Sequence, residues 1–433
     1  MKMESLWHQV KLPEFPKLDG NIKTDVLIIG GGMAGILCAY FLKKSNVDCI
    51  LVEENRICSG VTGDTTAKIT AQHGEIYHKL ITRFGAEKAA LYYRANAEAL
   101  MHYRKLCQNV HCDLKISDSY LYRVDHVAKL EKEMEALKKI GAPVQWTSQT
   151  ELPFPVAGAI CMPDQAQFHP LKFIAHIVKE LPVYEHTPVR SYDGSVYHTE
   201  QGTIKAERTV VATHFPMWNK HGLYPVKLYQ DRSYVLALEN APALLGMYRD
   251  GDPKGLSFRD TGKYLLLGGG GHRTGIKGEG WQDDGARRYY PESKVAFRWA
   301  TQDCMTLDAM PYIGQYSKNT PNLYVATGFN KWGMTGSMVA ARLIADLIQG
   351  RENPYKDLFS PSRSMWHPQL GINAFEAVVH LLKPTVPRCP HMGCALKWNS
   401  REHSWDCPCH GSRFSETGTR LNNPATGDMK KCK

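Results

Sequence analysis

Two short pairs of metal-ligating side chains stand near the end of the chain. Cys389-Pro390-His391-Met392-Gly393-Cys394 contains a Cys-x-His pair, and Cys407-Pro408-Cys409-His410-Gly411 contains a Cys-x-x-His pair. Fifteen residues lie between His391 and Cys407, enough for two loops to face each other across a small inorganic group. Thiolates are soft ligands that suit iron–sulfur clusters or zinc, and imidazoles suit either metal. Structural zinc sites typically place Cys pairs about two to four residues apart and His pairs about three to five apart. Here each pair mixes Cys with His, and one has a single residue between its members. The pattern favours an iron–sulfur centre with two thiolate and two imidazole ligands, with zinc as the other reading.

A second chemical feature lies near the start. The apolar run Asp25-Val26-Leu27-Ile28-Ile29 is followed at once by Gly30-Gly31-Gly32-Met33-Ala34-Gly35, then by helically spaced apolar residues from Ile36 to Leu42. A second strand, Cys49 to Val52, ends in Glu53. Glycines in this strand–turn–helix setting, with an acid about 20 residues on, form a dinucleotide fingerprint. Gly30 permits the tight turn, Gly32 lets a pyrophosphate approach the backbone, and Gly35 lets helix pack on strand. The helix N-terminus offers free N–H groups to the phosphates. Glu53 would accept hydrogen bonds from an adenosine ribose, or Glu54 if the strand ends one residue later.

The elements that must carry these two features fill a chain of 433 residues, which predicts about two or three domains. Residues 1–20, with Pro13 and Pro16, read as a surface arm. Helical spacing predicts helices over 86–110, 128–140 and 172–181, and alternation predicts strands within 183–212, 227–239 and 264–271. A proline-punctuated stretch from Arg351 to Pro387 joins the last unit, and Gly371 to Leu382 is expected to dock it as an amphipathic helix. Gly268 to Gly271 follows a strand but opens no apolar helix, so a second nucleotide site for NAD(P)H is not expected. No run approaches the ~18 apolar residues of a membrane span, and the start lacks the apolar core of a signal peptide. The expected location is therefore cytoplasmic. The net charge of +10 is spread along the chain, which argues against nucleic acid as a partner. Seven of the twelve cysteines are scattered singly before residue 389, as buried small hydrophobes would be.

The ligand set Cys389, His391, Cys407 and His410, with an extra cysteine in each loop and Gly411-Ser412 after the last ligand, resembles the Rieske [2Fe–2S] family. The resemblance implies that Cys389 and Cys407 hold one iron and His391 and His410 the other. It also implies a disulfide between Cys394 and Cys409. Phe414 replaces the tyrosine that high-potential members carry, which implies one hydrogen bond fewer to the cluster and a lower potential. Residues 384–433 are short for a full Rieske domain: the cluster loops are complete and the supporting strands are not.

Residues of about 20–350 resemble FAD-dependent oxidoreductases of the D-amino-acid oxidase superfamily. The resemblance is carried by the glycine fingerprint, the hydroxyl-rich loop Cys58 to Thr70, the strand Val210-Val211-Ala212-Thr213, and the segments Thr306 to Gly314 and Leu323 to Thr335. It implies that Thr62, Thr65 and Thr66 lie along FAD. It likewise implies that Gly328, Gly333 and Met334 meet the isoalloxazine at a helix N-terminus, where free N–H groups stabilise negative charge. His73 would lie near the flavin and is a possible point of covalent attachment.

The whole chain looks like a bacterial FAD-dependent oxidoreductase with a C-terminal Rieske domain. The implied fold is α/β: a Rossmann-type FAD-binding domain (about 21–85, 184–213 and 301–350) interleaved with an antiparallel-sheet substrate domain (about 86–183 and 214–300). A linker, 351–383, would lead to a small all-β Rieske module, 384–433. The implied activity is that of a dehydrogenase acting on an amine or amino-acid-like small molecule, with electrons passing from FAD through the cluster to an external protein or quinone. A redox sensor without small-molecule turnover is the alternative. Three residues are candidates for handling substrate: Arg232 to pair with a carboxylate, His272 as a base, and Trp332 as a pocket wall.

Overall fold

The structure is a computed structural model and describes residues 1–384 and 387–429. Ile22–Ile29 runs through the middle of a sheet, parallel to Cys49–Val52 on one side and to Thr203–Val211 on the other. Val183–Tyr184 extends the sheet beyond Cys49–Val52, and Leu323–Thr327 pairs in parallel with the end of Thr203–Val211. Val26, Leu27, Ile28, Leu51, Val52 and Val210 are all fully buried. Such continuous apolar runs are what parallel strands need when both faces are covered. One face is covered by the paired helices Met33–Lys44 and Gly333–Ile348, with the long helix Ala86–Cys107 against the second of them.

The second sheet has eight strands and centres on Leu228–Glu239, which lies between Lys294–Thr306 and Tyr264–Arg273. It continues through Ser257–Asp260, Met247–Asp250, Ser119–Arg123 and Gly158–Met162 to Gln145–Thr147. All its pairings are antiparallel except Met247–Asp250 with Ser119–Arg123. Successive side chains of a strand point to opposite faces. Val235 and Ala237 accordingly enter the large core shared with the nucleotide sheet, while Leu236 and Leu238 enter a separate core on the far face. The sheet is thus a partition, with one face turned towards the dinucleotide turn.

The last unit is an antiparallel meander of Lys397–Asn399, Ser404–Asp406, Arg413–Ser415 and Arg420–Asn422. Its small core consists of Cys389, Cys394, Leu396, Cys407, Cys409, Phe414 and Ala425. So few strands leave much of the cluster loops to be covered by other parts of the chain.

The helix before this unit, Pro368–Leu382, does dock it, but with the opposite face from the one its sequence suggests. Asn373 and His380 are buried, whereas Phe375 is 67% and Leu382 77% exposed. The reason lies in the partners. Asn373 donates to the Val226 carbonyl (3.2 Å) and accepts from Arg273 (2.9 Å), and the His380 carbonyl accepts from the N–H of Ala395 (2.8 Å). Polar loops offer hydrogen bonds rather than apolar surface, so the polar side of the helix turns in. Among the described residues no helix is long and apolar enough to cross a membrane.

Candidate redox site

The glycine turn emerges from the end of Ile22–Ile29 and opens the helix Met33–Lys44. Gly30 has φ +113°, and a Cβ there would stand 2.5 Å from the Ala212 carbonyl oxygen. A Cβ on Gly35 would collide with the Gly30 carbonyl, so helix and turn touch backbone to backbone. Glu53 caps the turn: its carboxylate accepts from the N–H groups of Gly31 (2.7 Å) and Asn55 (2.9 Å). Burial raises its pKa, and those two bonds oppose the rise. Thr62 reaches across to accept from the Met33 N–H at 3.0 Å. The loop carrying Thr62, Thr65 and Thr66 is fastened from outside: Trp7 donates to the Thr65 carbonyl (2.6 Å), Trp299 to that of Asp64 (2.8 Å), and Arg259 to that of Thr66.

These residues line one end of a cavity of about 680 Å³. Gly30, Gly32, Glu53, Thr62, Thr65 and Thr66 lie on its wall, and so do Trp332, Gly333 and Met334 at the start of Gly333–Ile348. Gly328 lies off the wall, in a turn at φ +71° packed against Thr306. Trp332 is held between two groups. His73 stacks on one side (4.6 Å between centroids, 11° between planes), and the Arg249 guanidinium lies 5.4 Å from the ring.

His73 sits behind Trp332, off the cavity wall. Its nitrogens are engaged by the Tyr92 hydroxyl (2.7 Å), the Thr70 carbonyl (2.8 Å) and Thr335 (3.2 Å). Burial lowers its pKa to about 3. His272 is likewise off the wall, stacked on Tyr234 and bonded to the Gly270 carbonyl at 2.9 Å. Arg232 does border the cavity, but its guanidinium is bidentate on Glu402 and only 6% of the residue is exposed.

Four charged residues that sequence reasoning passed over meet beside Trp332. Arg249, Lys331, Asp303 and Lys68 all line the cavity. Among the described residues no carboxylate lies within ion-pair distance of Arg249. Burial pushes Asp303 up to about 6, against the pull of Lys331 and Arg249. Lys68 is bonded to the Tyr248 carbonyl (2.8 Å) and the Ser257 hydroxyl (2.7 Å), and burial holds its pKa well below the usual lysine value. Only Lys331 carries a local signal. It and Asn330 are successive non-glycine residues at positive φ (72° and 52°), in a tight turn ahead of the helix.

The two Cys/His loops face each other as their spacing predicts. The His391 and His410 rings lie 4.9 Å apart and perpendicular. Burial lowers them to about 3 and about 4, which keeps both imidazoles neutral, the form a metal ligand requires. The outer nitrogen of His391 meets Asn219 (2.9 Å), and His410 is bonded to the Pro225 carbonyl. In both rings Nδ1 is buried with no partner at all. Buried nitrogens without a hydrogen-bond partner call for an explanation, and a metal-ligand role would supply one for both rings.

One expectation is corrected here. Cys394 and Cys409 are both free, not joined in a disulfide. Their sulfurs form a three-way group with Cys407, all within 4.8 Å of one another. The pocket draws the thiols together as a cluster rather than pairing two of them off.

The second loop rests directly on the large sheet. Gln230 donates to the His410 carbonyl (2.7 Å), Gln302 to that of Gly411 (2.8 Å), and Arg273 to that of Pro408 (3.2 Å). Behind them Glu402 is bound by Arg232 (2.6 Å), Arg413 (3.0 Å) and Tyr234 (3.1 Å), and Arg413 also holds Asp406 at 2.8 Å. Arg420 pairs with Glu54, and Asn423 donates to the Thr213 carbonyl.

A dinucleotide crevice continuous with a large cavity, and two Cys/His loops docked beside it, are the parts of a flavin-dependent oxidoreductase with an iron–sulfur module. The chain belongs to the FAD dependent oxidoreductase family, whose profile matches residues 25–347, and a Rieske [2Fe-2S] domain matches residues 380–433. It is 34% identical to the Bacillus subtilis protein YhfW, named as a Rieske 2Fe-2S iron-sulfur protein, over 99% of this chain and 97% of that one. It is 22% identical to gamma-glutamylputrescine oxidoreductase of Escherichia coli, covering 78% of this chain and 87% of that one. Among solved structures, glycine oxidase from Geobacillus kaustophilus matches with a TM-score of 0.66 at 22% identity, over 79% of this chain and 99% of that one. The cofactors are thus FAD and a [2Fe–2S] cluster. The glycine turn, Glu53 and the cavity fit the first, and the facing Cys/His loops with their two partnerless imidazole nitrogens fit the second.

Phe414 is fully buried in the thiol pocket. Ser412, two residues earlier, is within hydrogen-bond reach of the Cys389 thiol. Adding a second hydroxyl through Phe414→Tyr supplies one further bond, which favours the more negative reduced form. A bond of ~1 kcal/mol raises a one-electron potential by roughly 40 mV. Protein-film voltammetry reads the shift, and an unchanged or lower potential contradicts this role for the position.

Proposed function

We propose that the protein is a dehydrogenase for an amine or amino-acid-like small molecule, and that its electrons leave through the cluster to an external acceptor, a protein or a quinone. The observation that carries the proposal is the wall shared by the cavity and the second cluster loop. His214 lines the cavity, and its ring meets the Gln230 side-chain oxygen at 3.2 Å. The amide nitrogen of the same Gln230 donates to the His410 carbonyl. Gln302, also on the cavity wall, bonds Gln230 (2.8 Å) and Gly411. A layer of side chains thus lies between this part of the cavity wall and the cluster loop. When bound, FAD supplies two-electron oxidation of a substrate C–H bond and the cluster accepts electrons singly.

The residues around Trp332 favour this class of substrate. Arg249 offers an unpaired guanidinium in a largely enclosed site, suited to bidentate capture of a carboxylate. Trp332 gives the flat wall, and Asp303 stands ready to hold an ammonium or take its proton. The likeness to a glutamylputrescine oxidoreductase and a glycine oxidase, whose names give an amine and an amino acid, supports the same class.

For a carboxylate substrate, Arg249→Met is expected to raise KM by about two orders of magnitude, the effect of leaving a charged partner unmatched. An unchanged KM would remove Arg249 from the site. The substrate class itself is tested by anaerobic turnover of amines and amino acids with a dye acceptor. Turnover of at least one compound is the expected result. Failure of all of them, with FAD and cluster both present, would favour a redox sensor instead.

A further inference from the structure

We infer that the cluster module is part of the FAD site: residues Arg420 to Asn423 and Thr426 form one wall of the dinucleotide end of the cavity. The cavity that starts at Gly30, Gly32 and Glu53 is bordered on its other side by Arg420, Leu421, Asn422, Asn423 and Thr426, all from the C-terminal meander and the loop after it. Two direct bonds fix this wall at the two places where a dinucleotide makes its main contacts. Asn423 donates to the carbonyl of Thr213. Thr213 lies at the glycine turn, where a Cβ on Gly30 would be 3.2 Å from its nitrogen. Arg420 pairs with Glu54, next to the acid that caps the turn, and is braced by the Ala425 carbonyl at 3.1 Å.

The charges at this end assign Arg420 a particular role. The other guanidiniums near this end are shared between carboxylates or committed elsewhere: Arg190 lies on Glu200 (2.5 Å) and also on Glu54 (3.7 Å), Arg232 on Glu402, and Arg413 on Asp406 and Glu402, while Arg249 lies beside Trp332. Arg420 has a single carboxylate partner, itself about one-third exposed, and faces the cavity. A pyrophosphate carries negative charge that a helix N-terminus offsets only in part. Arg420 is the module's contribution to that balance. Thr426 is exposed, lines the same cavity, and makes no side-chain hydrogen bond among the described residues. Its side chain is therefore free to meet a ligand. Binding that uses both units is reciprocal: FAD held by the module also holds the module in place.

The test is FAD release from the holoenzyme on dilution, followed by the fluorescence of freed FAD, with the EPR signal of the dithionite-reduced cluster recorded in parallel. Two variants are compared with the unmodified protein. Arg420→Ala removes the cation. Thr426→Glu adds a negative charge at a position whose side chain supports nothing else. Loss of a charged contact, or a like charge set against the phosphates, is expected to speed release by about tenfold or more. Faster release in either variant with the cluster signal intact supports the assignment. If neither variant releases FAD faster, or faster release occurs only where the cluster signal is lost, the module does not contact the cofactor and the inference is overturned. The outcome does not depend on the route that electrons take.

Discussion

Arg232→Ala is expected to detach the cluster module from the sheet beneath it, at a cost of about 3–5 kcal/mol. The cost is high because removal of one partner strands the other. Arg232 and Glu402 have side chains 8% and 7% exposed, so water cannot replace the lost guanidinium. Arg413 remains on Glu402 but is shared with Asp406, and the Tyr234 hydroxyl cannot neutralise a charge. Burial alone would raise the pKa of Glu402, yet its bonds to Arg232, Arg413 and Tyr234 pull it down to about 2, from an ordinary value of 4.5. A carboxylate with a depressed pKa contributes stability above its unfolded value and loses it as the pH falls towards the folded one. The network should therefore be intact at neutral pH and fail between about pH 4.5 and 2. Thermal unfolding followed by cluster absorbance checks both points. A variant as stable as the unmodified protein, or stability flat through that acid range, would mean the network does not hold the units together.

Gly35→Ala is expected to abolish FAD retention while leaving the cluster in place. The added methyl would fall on the Gly30 carbonyl, and both atoms belong to backbone that cannot swing aside. Either the helix Met33–Lys44 backs away from the strand or the turn opens, and each displaces the N–H groups and the Glu53 cap that shape the dinucleotide crevice. Such backbone collisions fall among the strongly destabilising substitutions. Among the described residues, the core around Cys389 and Cys407 is separate from the core that holds this helix. Absorbance and EPR on the purified variant should show a cluster without flavin, and a normal flavin content would contradict the account.

How far the sequence could be read follows from how local each feature is. The glycine turn and the two Cys/His pairs are short, contiguous patterns whose chemistry needs fixed spacing, so both stand out in the sequence. Arg232 reads as a substrate ligand because nothing near it in sequence suggests otherwise; its partner Glu402 lies 170 positions away. Arg249 sits in the strand Met247–Asp250, where strand alternation says which face a side chain takes and nothing about the Trp332 ring that it lies beside. The helix Pro368–Leu382 shows a different limit. Amphipathicity predicts the docking face only if the partner surface is apolar, and here the partners are loop carbonyls, an N–H and Arg273. The same principle explains why a module too short for its own base can still be folded: its support comes from Gln230, Gln302, Arg273 and Arg232, on strands far away in sequence.

Electrons entering at the cavity are proposed to reach the cluster within the same molecule. Anaerobic photoreduction of the holoenzyme with EDTA, sampled by freeze-quench EPR at several protein concentrations, tests it most directly. The expected result is a reduced-cluster signal that appears after flavin bleaching, at a rate independent of protein concentration. Bleached flavin with a cluster that stays oxidised, or reduction whose rate scales with protein concentration, would contradict it.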